Sequence, residues 1–300
     1  SGQLIPEGGM WVEADTNLPC GESLIRQFLY GKEYFRNKLN VESSLLWLPD
    51  VFGYSAALPQ IMKGCGITHF TTHKIFWTYN GGEPFPYHYF QWKGLDGSKI
   101  PVFIHVEYSS AADAGTLIER WNNRAQKNGL CRFMQPVGYG DGGGGASREH
   151  IENILLFADM EGVPRTEFDD PNHFFEAIAA DGYEENEYVG ELYYQAHRGT
   201  YTTQARTKRG NRKGEFALRE AEFWNGISIL EGKARGEKDF KKIWKILLLN
   251  QFHDILPGSA IHKVYERAEK ELEKAVCEGG KLLRNALDAL VEKGTGVTYF

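Results

Sequence analysis

The sequence is poor in cysteine, and no two of its cysteines are close together. Cys20, Cys65, Cys131 and Cys277 are scattered along 300 residues and form no C-x-x-C motif. This spacing argues against a disulfide framework and against a zinc site made of thiolates. It favours a reducing compartment, so the sequence predicts a cytoplasmic protein.

Long apolar runs and dense basic patches are also missing. No run approaches the length of a membrane span, and no basic segment followed by an apolar one opens the chain. The formal net charge is -6, which argues against a nucleic-acid groove. A hydrophobic share of 42% and a charged share of 25% are typical of a globular protein. The aromatic share of 13% also suits sugar binding, because ring faces pack well on C–H surfaces.

Two kinds of organisation follow one another along the chain. Up to about residue 180, short strand patterns alternate with helical ones, which predicts an α/β domain with parallel strands. The predicted strands are 10–13, 44–48, 66–72, 89–92, 100–105, 134–139 and 165–168. Beyond a linker at 182–191, three long helical segments, 200–232, 237–255 and 260–292, predict a three-helix bundle. We therefore expect one domain at 1–190 and a helical one at 191–300.

The stretch Trp47-Leu-Pro-Asp50-Val-Phe-Gly53-Tyr54-Ser55 contains the first candidate for chemistry. Asp50 follows a buried strand, at the end where α/β folds place their catalytic groups. The alternative is that Asp50 only caps the helix that begins near Ala56.

A second candidate is the stretch Asn250-Gln-Phe-His253-Asp254, which ends an apolar helix before Pro257 and Gly258. His253 could simply interact with the negative end of the helix dipole. A histidine beside a carboxylate is also the usual arrangement of a metal ligand, and imidazole with carboxylate oxygen suits Zn²⁺.

The third candidate, Gly140-Asp141-Gly-Gly-Gly-Gly145, has three interpretations. Gly140, Gly142 and Gly145 satisfy G-x-G-x-x-G, which would make a dinucleotide site of an NAD(P)-dependent oxidoreductase. The negative charge of Asp141 opposes a pyrophosphate there. The glycines could instead clear space for a substrate that Asp141 protonates, or form a plain flexible turn. Asp50 and Asp141 together would suit paired-carboxylate chemistry on a sugar acetal.

Taken together, these three stretches resemble glycoside hydrolase family 38, the class II α-mannosidases, in their cytosolic and bacterial branch. Further matching stretches are Gly8-Gly-Met-Trp-Val-Glu13, Gly21-Glu-Ser-Leu-Ile-Arg-Gln27 and Gly199-Thr-Tyr-Thr-Thr203. The resemblance implies a partial (β/α) barrel-like catalytic domain followed by the bundle. It also implies a retaining mechanism on mannose-containing oligosaccharides.

The resemblance assigns roles to residues of this chain. Asp50 matches the nucleophile, which also binds the metal, and Asp141 matches the acid/base. His253 matches a metal ligand, and Asp254 an acid that orients the sugar or the ligand. Weaker candidates for the pocket, for which plain packing is an equal alternative, are Lys74, Tyr54, Trp11 and Asp15.

One departure concerns the metal, expected to be zinc, with cobalt as the alternative. The family supplies two further ligands from an H-x-D motif, and no such motif occurs in these 300 residues. We therefore expect both ligands upstream of Ser1, and this piece of a longer enzyme to bind metal weakly and have little activity. A homo-oligomer is compatible with the sequence. A non-catalytic carbohydrate-binding piece is the second alternative to the mannosidase.

Overall fold

One sheet and eight α-helices, with short 3-10 and π-helical turns, form the part of the chain that the structure describes. The structure is a computed structural model, and it describes residues 3–79, 81–182, 186–233 and 239–291. The strands are β1 (Leu45–Trp47), β2 (His69–Thr72), β3 (Tyr89–Lys93), β4 (Lys99–Ile104) and β5 (Glu187–Val189). The helices are α1 (Gly21–Tyr34), α2 (Leu58–Gly64), α3 (Ala114–Asn123), α4 (Arg148–Leu156), α5 (Pro171–Ala180), α6 (Ala205–Leu230), α7 (Phe240–Leu249) and α8 (His262–Leu290).

The chain divides into two compact units. The first contains residues 1–17 and 27–198, and the second contains 18–26 and 199–300. These units are defined by the contacts among their residues, and they do not test where one domain ends and the next begins. The predicted domain boundary at 190/191 therefore stays a prediction. No helix among the described residues has the length and apolar character needed to cross a membrane.

The sheet of the first unit has the strand order β1-β2-β4-β3-β5. Its pairs are parallel except for β3 with β4, which form the antiparallel hairpin expected around Asp96-Gly97. Gly97 has a φ of 85°, a left-handed value that a tight turn requires and that glycine adopts without strain. The predicted α/β class with parallel strands is confirmed, and barrel-like closure of the sheet stays a prediction.

Apolar side chains of three strands form a core with helix α5. Leu45 of β1, Tyr89 of β3 and Phe103 of β4 pack against Phe174 and Phe175 of α5. Each such side chain contributes about 2 kcal/mol on burial. This packing fixes β1, and with β1 the point at which the chain leaves the sheet towards Asp50.

Three predicted strands are wrong. Residues 10–12 form bends and residue 13 has no regular structure. The amide of Trp11 donates to the backbone oxygen of Gln27 at 2.8 Å, and that of Val12 donates to Oε1 of Gln27 at 3.2 Å, rather than to a strand. Residues 134–139 contain Pro136, which has no N–H to donate to a ladder. Residues 165–168 are held by Thr166, whose Oγ1 donates to the carbonyl of Ile154 in α4 at 2.7 Å.

The predicted linker at 182–191 is only partly a linker. Residues 183–185 lie outside the described part of the chain, and Glu187–Val189 forms β5 beside β3. Acidic and glycine-rich composition is typical of a linker, but it does not prevent an edge strand from forming with its neighbour.

The second unit contains the three predicted helices, α6, α7 and α8. Small residues let them approach closely: a Cβ on Gly214 of α6 would lie 2.9 Å from Leu247 of α7. Glu215 of α6 is fully buried, and it accepts hydrogen bonds from the amide of Cys20 and from Oγ of Ser23, both at 2.8 Å. Arg212 lies 2.5 Å from the same carboxylate. Residues 237–238 and 292 of the predicted helices lie outside the described residues.

Candidate active site

The loop that carries Asp50 is fixed at several points within the first unit. The amide of Tyr54 donates to the carbonyl of Leu192 at 2.9 Å, and the amide of Leu192 donates back at 3.0 Å. Oγ1 of Thr16 donates to the carbonyl of Gly53 at 3.0 Å. Helix α2 begins after Ala57 without a side-chain cap. Asp50 is therefore not the cap of this helix, which was the alternative that the sequence left open.

The carboxylate of Asp50 is paired with a buried cation. Nζ of Lys74 lies 2.5 Å from Oδ1 of Asp50 and donates to its backbone carbonyl at 3.3 Å. The Lys74 ammonium also lies over the rings of Phe52 and Trp77, at 4.6 and 5.3 Å from their centroids. These contacts bring the predicted pocket residue Lys74 to the predicted nucleophile, between two aromatic faces.

Two buried histidines lie behind this pair. Nε2 of His73 is 4.0 Å from Oδ1 of Asp50, and the His73 ring stacks on that of His105 with 5.5 Å between centroids. Burial lowers the pKa of His73 to about 4 and that of His105 to about 3. Both imidazoles are therefore neutral near pH 7. Among the described residues, neither ring nitrogen of His73 has a hydrogen-bond partner.

Asp141 lies in the glycine loop and is held by a tyrosine. The hydroxyl group of Tyr108 donates to Oδ1 of Asp141. Asp141 has a φ of 44°, and the loop around it is closed by a hydrogen bond of 3.0 Å from the amide of Tyr139 to the carbonyl of Gly144. The Asp141 side chain is exposed, as a group that meets a substrate needs to be.

The charges of Asp50 and Asp141 both affect the pKa values of His73 and Tyr108. The rings of Tyr108 and His73 meet edge to face, with 4.6 Å between centroids. Burial raises the pKa of Tyr108, and the negative charges of Asp50 and Asp141 raise it further. Both carboxylates also oppose the lowering of the His73 pKa by burial. The first unit thus gathers two aspartates, a lysine, a histidine and a tyrosine into one polar cluster.

Sequence analysis missed two members of this cluster, His73 and Tyr108. His73 precedes the candidate Lys74, and burial of the apolar strand before it could have suggested that it is enclosed too. No motif or spacing in the sequence singles out Tyr108, because its contact with Asp141 joins positions 33 residues apart.

The dinucleotide interpretation of the glycine loop loses its structural context. A nucleotide fingerprint needs a strand before the glycines, and in the part described no strand forms between β4 and β5. Helix α4 starts after Ser147, whose side chain and that of His150 already cap it reciprocally. The carboxylate of Asp141 is engaged by Tyr108 within the same loop.

The weaker pocket candidates are placed as follows. Tyr54 is fully buried, and its hydroxyl contacts the carbonyl of Leu48 at 3.0 Å and Oγ1 of Thr72 at 2.5 Å. Asp15 is buried and accepts from the amide of Asn17 at 2.9 Å. Trp11 is half-buried with its ring edge against Tyr34. These contacts agree with packing for Tyr54 and Trp11, and a substrate-binding role for all three stays a prediction.

In the second unit, His253 and Asp254 lie in a tight segment beyond the end of α7. His253 is 4% exposed, and its Nε2 lies 3.6 Å from Oδ2 of Asp254, beyond hydrogen-bond distance. Asp254 Oδ1 accepts from Oγ of Ser259 at 2.6 Å. Nζ of Lys208 donates to the carbonyls of Leu256 and Pro257, at 3.0 and 3.1 Å, which fixes the segment.

The metal stays a prediction. A carboxylate and an imidazole are suitable zinc donors, but a protein site needs at least three ligands. Asp50 belongs to the first unit and His253 to the second. Within the described ranges, no group of three His, Cys, Asp or Glu side chains could hold a metal ion. The residues present therefore do not make a complete site by themselves.

A cavity of about 780 Å³ lies elsewhere in the first unit, lined by residues that include Trp47, Trp121 and Phe174. Its three arginines form ion pairs: Arg120 with Glu107 at 2.8 Å, Arg132 with Asp181 at 2.7 Å and Arg165 with Asp159 at 3.1 Å. None of the predicted site residues lines it. The polar cluster around Asp50 remains the better candidate for chemistry.

Comparison with known protein sequences gives relatives that are named alpha-mannosidases. The chain is 39% identical over 290 residues to alpha-mannosidase G of Dictyostelium discoideum, covering 96% of the chain and 26% of that protein. It is 38% identical over 293 residues to human alpha-mannosidase 2C1, covering 96% of the chain and 28% of that protein. The chain thus spans about a quarter of the length of these relatives.

The fold has a counterpart among solved structures. An alpha-mannosidase from Enterococcus faecalis V583 matches with a TM-score of 0.77 at 20% identity, over 94% of this chain and 34% of that one. Residues 195–290 match the alpha mannosidase middle domain. Residues 1–198, which carry the Asp50 and Asp141 loops, match the N-terminal domain of glycosyl hydrolases family 38. The chain therefore belongs to glycosyl hydrolase family 38.

Proposed function

We propose that this protein is an α-mannosidase that removes α-linked mannose from oligosaccharides, with Asp50 as nucleophile and Asp141 as acid/base. Family membership supports the reaction class, and the names of the relatives support the sugar. The observation that carries the assignment of residues is the shared cluster: Tyr108 donates to Asp141, its ring meets that of His73, and Nε2 of His73 lies 4.0 Å from Asp50. Two carboxylates at one site are what glycoside hydrolysis requires.

The residues of the cluster suit a retaining mechanism. The carboxylate of Asp50 would attack the anomeric carbon while Asp141 donates its proton to the leaving oxygen. Asp141 would then take a proton from the water that releases the sugar from Asp50. Trp77, which flanks Lys74 and is 37% exposed, offers a ring face to the C–H surface of a sugar. The neutral imidazole of His73 places no second positive charge beside Asp50.

A divalent metal belongs to the proposal, with zinc preferred and cobalt as the alternative. Asp50 and His253 would be two of its ligands, and the others would come from outside the described residues.

A cytoplasmic location is also part of the proposal. It is supported by the four cysteines, all of which are free.

The test is an assay of the full-length protein, as its gene encodes it, on 4-nitrophenyl glycosides. We expect hydrolysis of the α-mannoside, with α-mannose as the first product seen by NMR, and little activity on the β-mannoside or the α-glucoside. Asp50→Asn and Asp141→Asn should each lower kcat/KM on an oligosaccharide by at least about 100-fold. Asp159→Asn is the control, because its side chain is 86% exposed and pairs only with Arg165 in the described region.

Two results would contradict the proposal. If Asp50→Asn kept wild-type activity, this part of the protein would be a non-catalytic carbohydrate-binding piece, or the enzyme would use another nucleophile. If NADPH fluorescence rose on titration with the protein and Asp141→Lys strengthened that binding, the glycine loop would be a dinucleotide site instead.

A further inference from the structure

Tyr108 occupies a place that its neighbours define closely. It follows β4 by four residues, and its ring lies between His73 and the glycine loop. A Cβ built on Gly140 would lie only 2.5 Å from a carbon of the Tyr108 ring. The residue before Asp141 therefore has to be small for the ring to reach its place, and the ring in turn carries a hydroxyl to the Asp141 carboxylate.

The hydroxyl contact distinguishes the two oxygens of Asp141. Tyr108 donates to Oδ1, so Oδ2 is left to carry a transferable proton. Without this contact, an exposed aspartate among glycines would sample several rotamers and lose productive orientation. Burial and two nearby carboxylates keep the phenol protonated, so Tyr108 remains a donor throughout.

We propose that Tyr108 is a positioning residue for the acid/base step, fixing Asp141 so that Oδ2 faces the leaving oxygen. This inference rests on the proposed function. As the C–O bond breaks, the proton moves from Oδ2 to the leaving oxygen, the alcohol departs and the sugar is transferred to Asp50. The Tyr108 hydroxyl then donates to a carboxylate instead of a neutral acid, and this hydrogen bond strengthens as the charge develops.

The experiment separates acid catalysis from general damage by changing the leaving group. Tyr108→Phe keeps the ring and removes the hydroxyl. In the full-length protein, we expect kcat/KM to fall about 10-fold on an α-mannoside with an alkyl leaving group, which needs protonation. On 2,4-dinitrophenyl α-mannoside, which leaves without protonation, the fall should be less than about 2-fold. Asp141→Asn should give the same pattern with larger factors.

Tyr139→Phe is the matched control, because Tyr139 lies in the same loop with 58% of its surface exposed, and it should leave both rates unchanged. Equal losses of Tyr108→Phe on both substrates, or no loss on either, would overturn the positioning role. If Tyr108→Phe does not show the dependence on the leaving group while Asp141→Asn does, only the positioning role of Tyr108 is contradicted. If Asp141→Asn lacks the pattern, the proposed function loses its acid/base as well.

Discussion

Nζ of Lys74 lies 2.5 Å from Oδ1 of Asp50, and the lysine side chain is only 7% exposed. Asp50 is 20% exposed, so the carboxylate is partly accessible to solvent while the ammonium is enclosed. A buried ammonium that lost its carboxylate would be left unbalanced, and so would the carboxylate without its ammonium. The pair therefore couples the stability of the Asp50 loop to the residue proposed to do the chemistry.

Replacement of Lys74 by methionine should destabilise the protein. The change keeps the length of the side chain but leaves the Asp50 carboxylate without its cation. We expect the free energy of unfolding to fall by about 2–3 kcal/mol, slightly less than the roughly 3–5 kcal/mol of a fully buried pair, because Asp50 is partly exposed. Urea unfolding followed by tryptophan fluorescence measures this change.

The control for this variant is Lys93→Met. Lys93 pairs with Glu187 at 3.2 Å, and both side chains are more than a third exposed. We expect a loss of less than about 1 kcal/mol for this surface pair. Equal losses in the two variants would show that burial of the Lys74–Asp50 pair has no special weight.

Stability should also fall at mildly acidic pH, and His88 should be one cause. His88 is buried, its Nδ1 donates to the carbonyl of Ile104 at 2.7 Å, and burial lowers its pKa from 6.5 to about 4. Between these pH values the unfolded chain binds a proton that the folded chain excludes. The free energy of unfolding therefore falls as the pH drops through this window, by at most about 1.4 kcal/mol per pH unit for this side chain.

His88→Asn tests this assignment, because asparagine keeps a donor for Ile104 but does not titrate. We expect a smaller loss of stability between pH 6.5 and 4 than in the wild type, measured by urea unfolding at several pH values. His262→Asn, at a side chain 89% exposed, should keep the wild-type slope. An unchanged slope in His88→Asn would mean that other groups account for the acid loss.

The parts of the fold that the sequence predicts are those with strong local signals. The apolar run before Asp50, the Asp96-Gly97 turn and the three long helices have periodicity or turn chemistry that survives in the structure. Residues 10–13 and 134–139 have strand-like composition as well. Their hydrogen-bonding groups prevent a strand. In the first stretch the backbone amides donate to Gln27, and in the second Pro136 has no N–H to donate. The local sequence pattern cannot reveal which group a backbone amide will bind in the folded protein.

The site divides in the same way. Asp50 and Asp141 are visible because each sits in a stretch whose flanking residues dictate a strand end or a flexible loop. The sequence does not identify Tyr108, because its role depends on the contact of its hydroxyl group with Asp141 in the folded structure. That Asp50 and His253 bind one metal ion stays a prediction.

In the second unit, Glu215→Gln should be strongly destabilising. The fully buried carboxylate accepts from the Cys20 amide and from Ser23, and lies 2.5 Å from Arg212. The amide has one fewer acceptor oxygen and no charge, so we expect the free energy of unfolding to fall by about 2–3 kcal/mol in urea unfolding. Glu220→Gln, exposed on the same helix, should change it by less than about 0.5 kcal/mol. Equal small changes would contradict a structural role for Glu215.

Two glycines of the Asp141 loop give a final comparison. Gly140 and Gly142 have φ values of 64° and 74°, so alanine at either position should cost about 1 kcal/mol of stability. Only at Gly140 would the new Cβ meet the ring of Tyr108, whereas the space at Gly142 is open. We therefore expect Gly140→Ala to lower kcat/KM on alkyl α-mannosides by about 10- to 100-fold, and Gly142→Ala to change it little. Equal kinetic losses would show that loop strain, and not displacement of Tyr108 from Asp141, controls the rate.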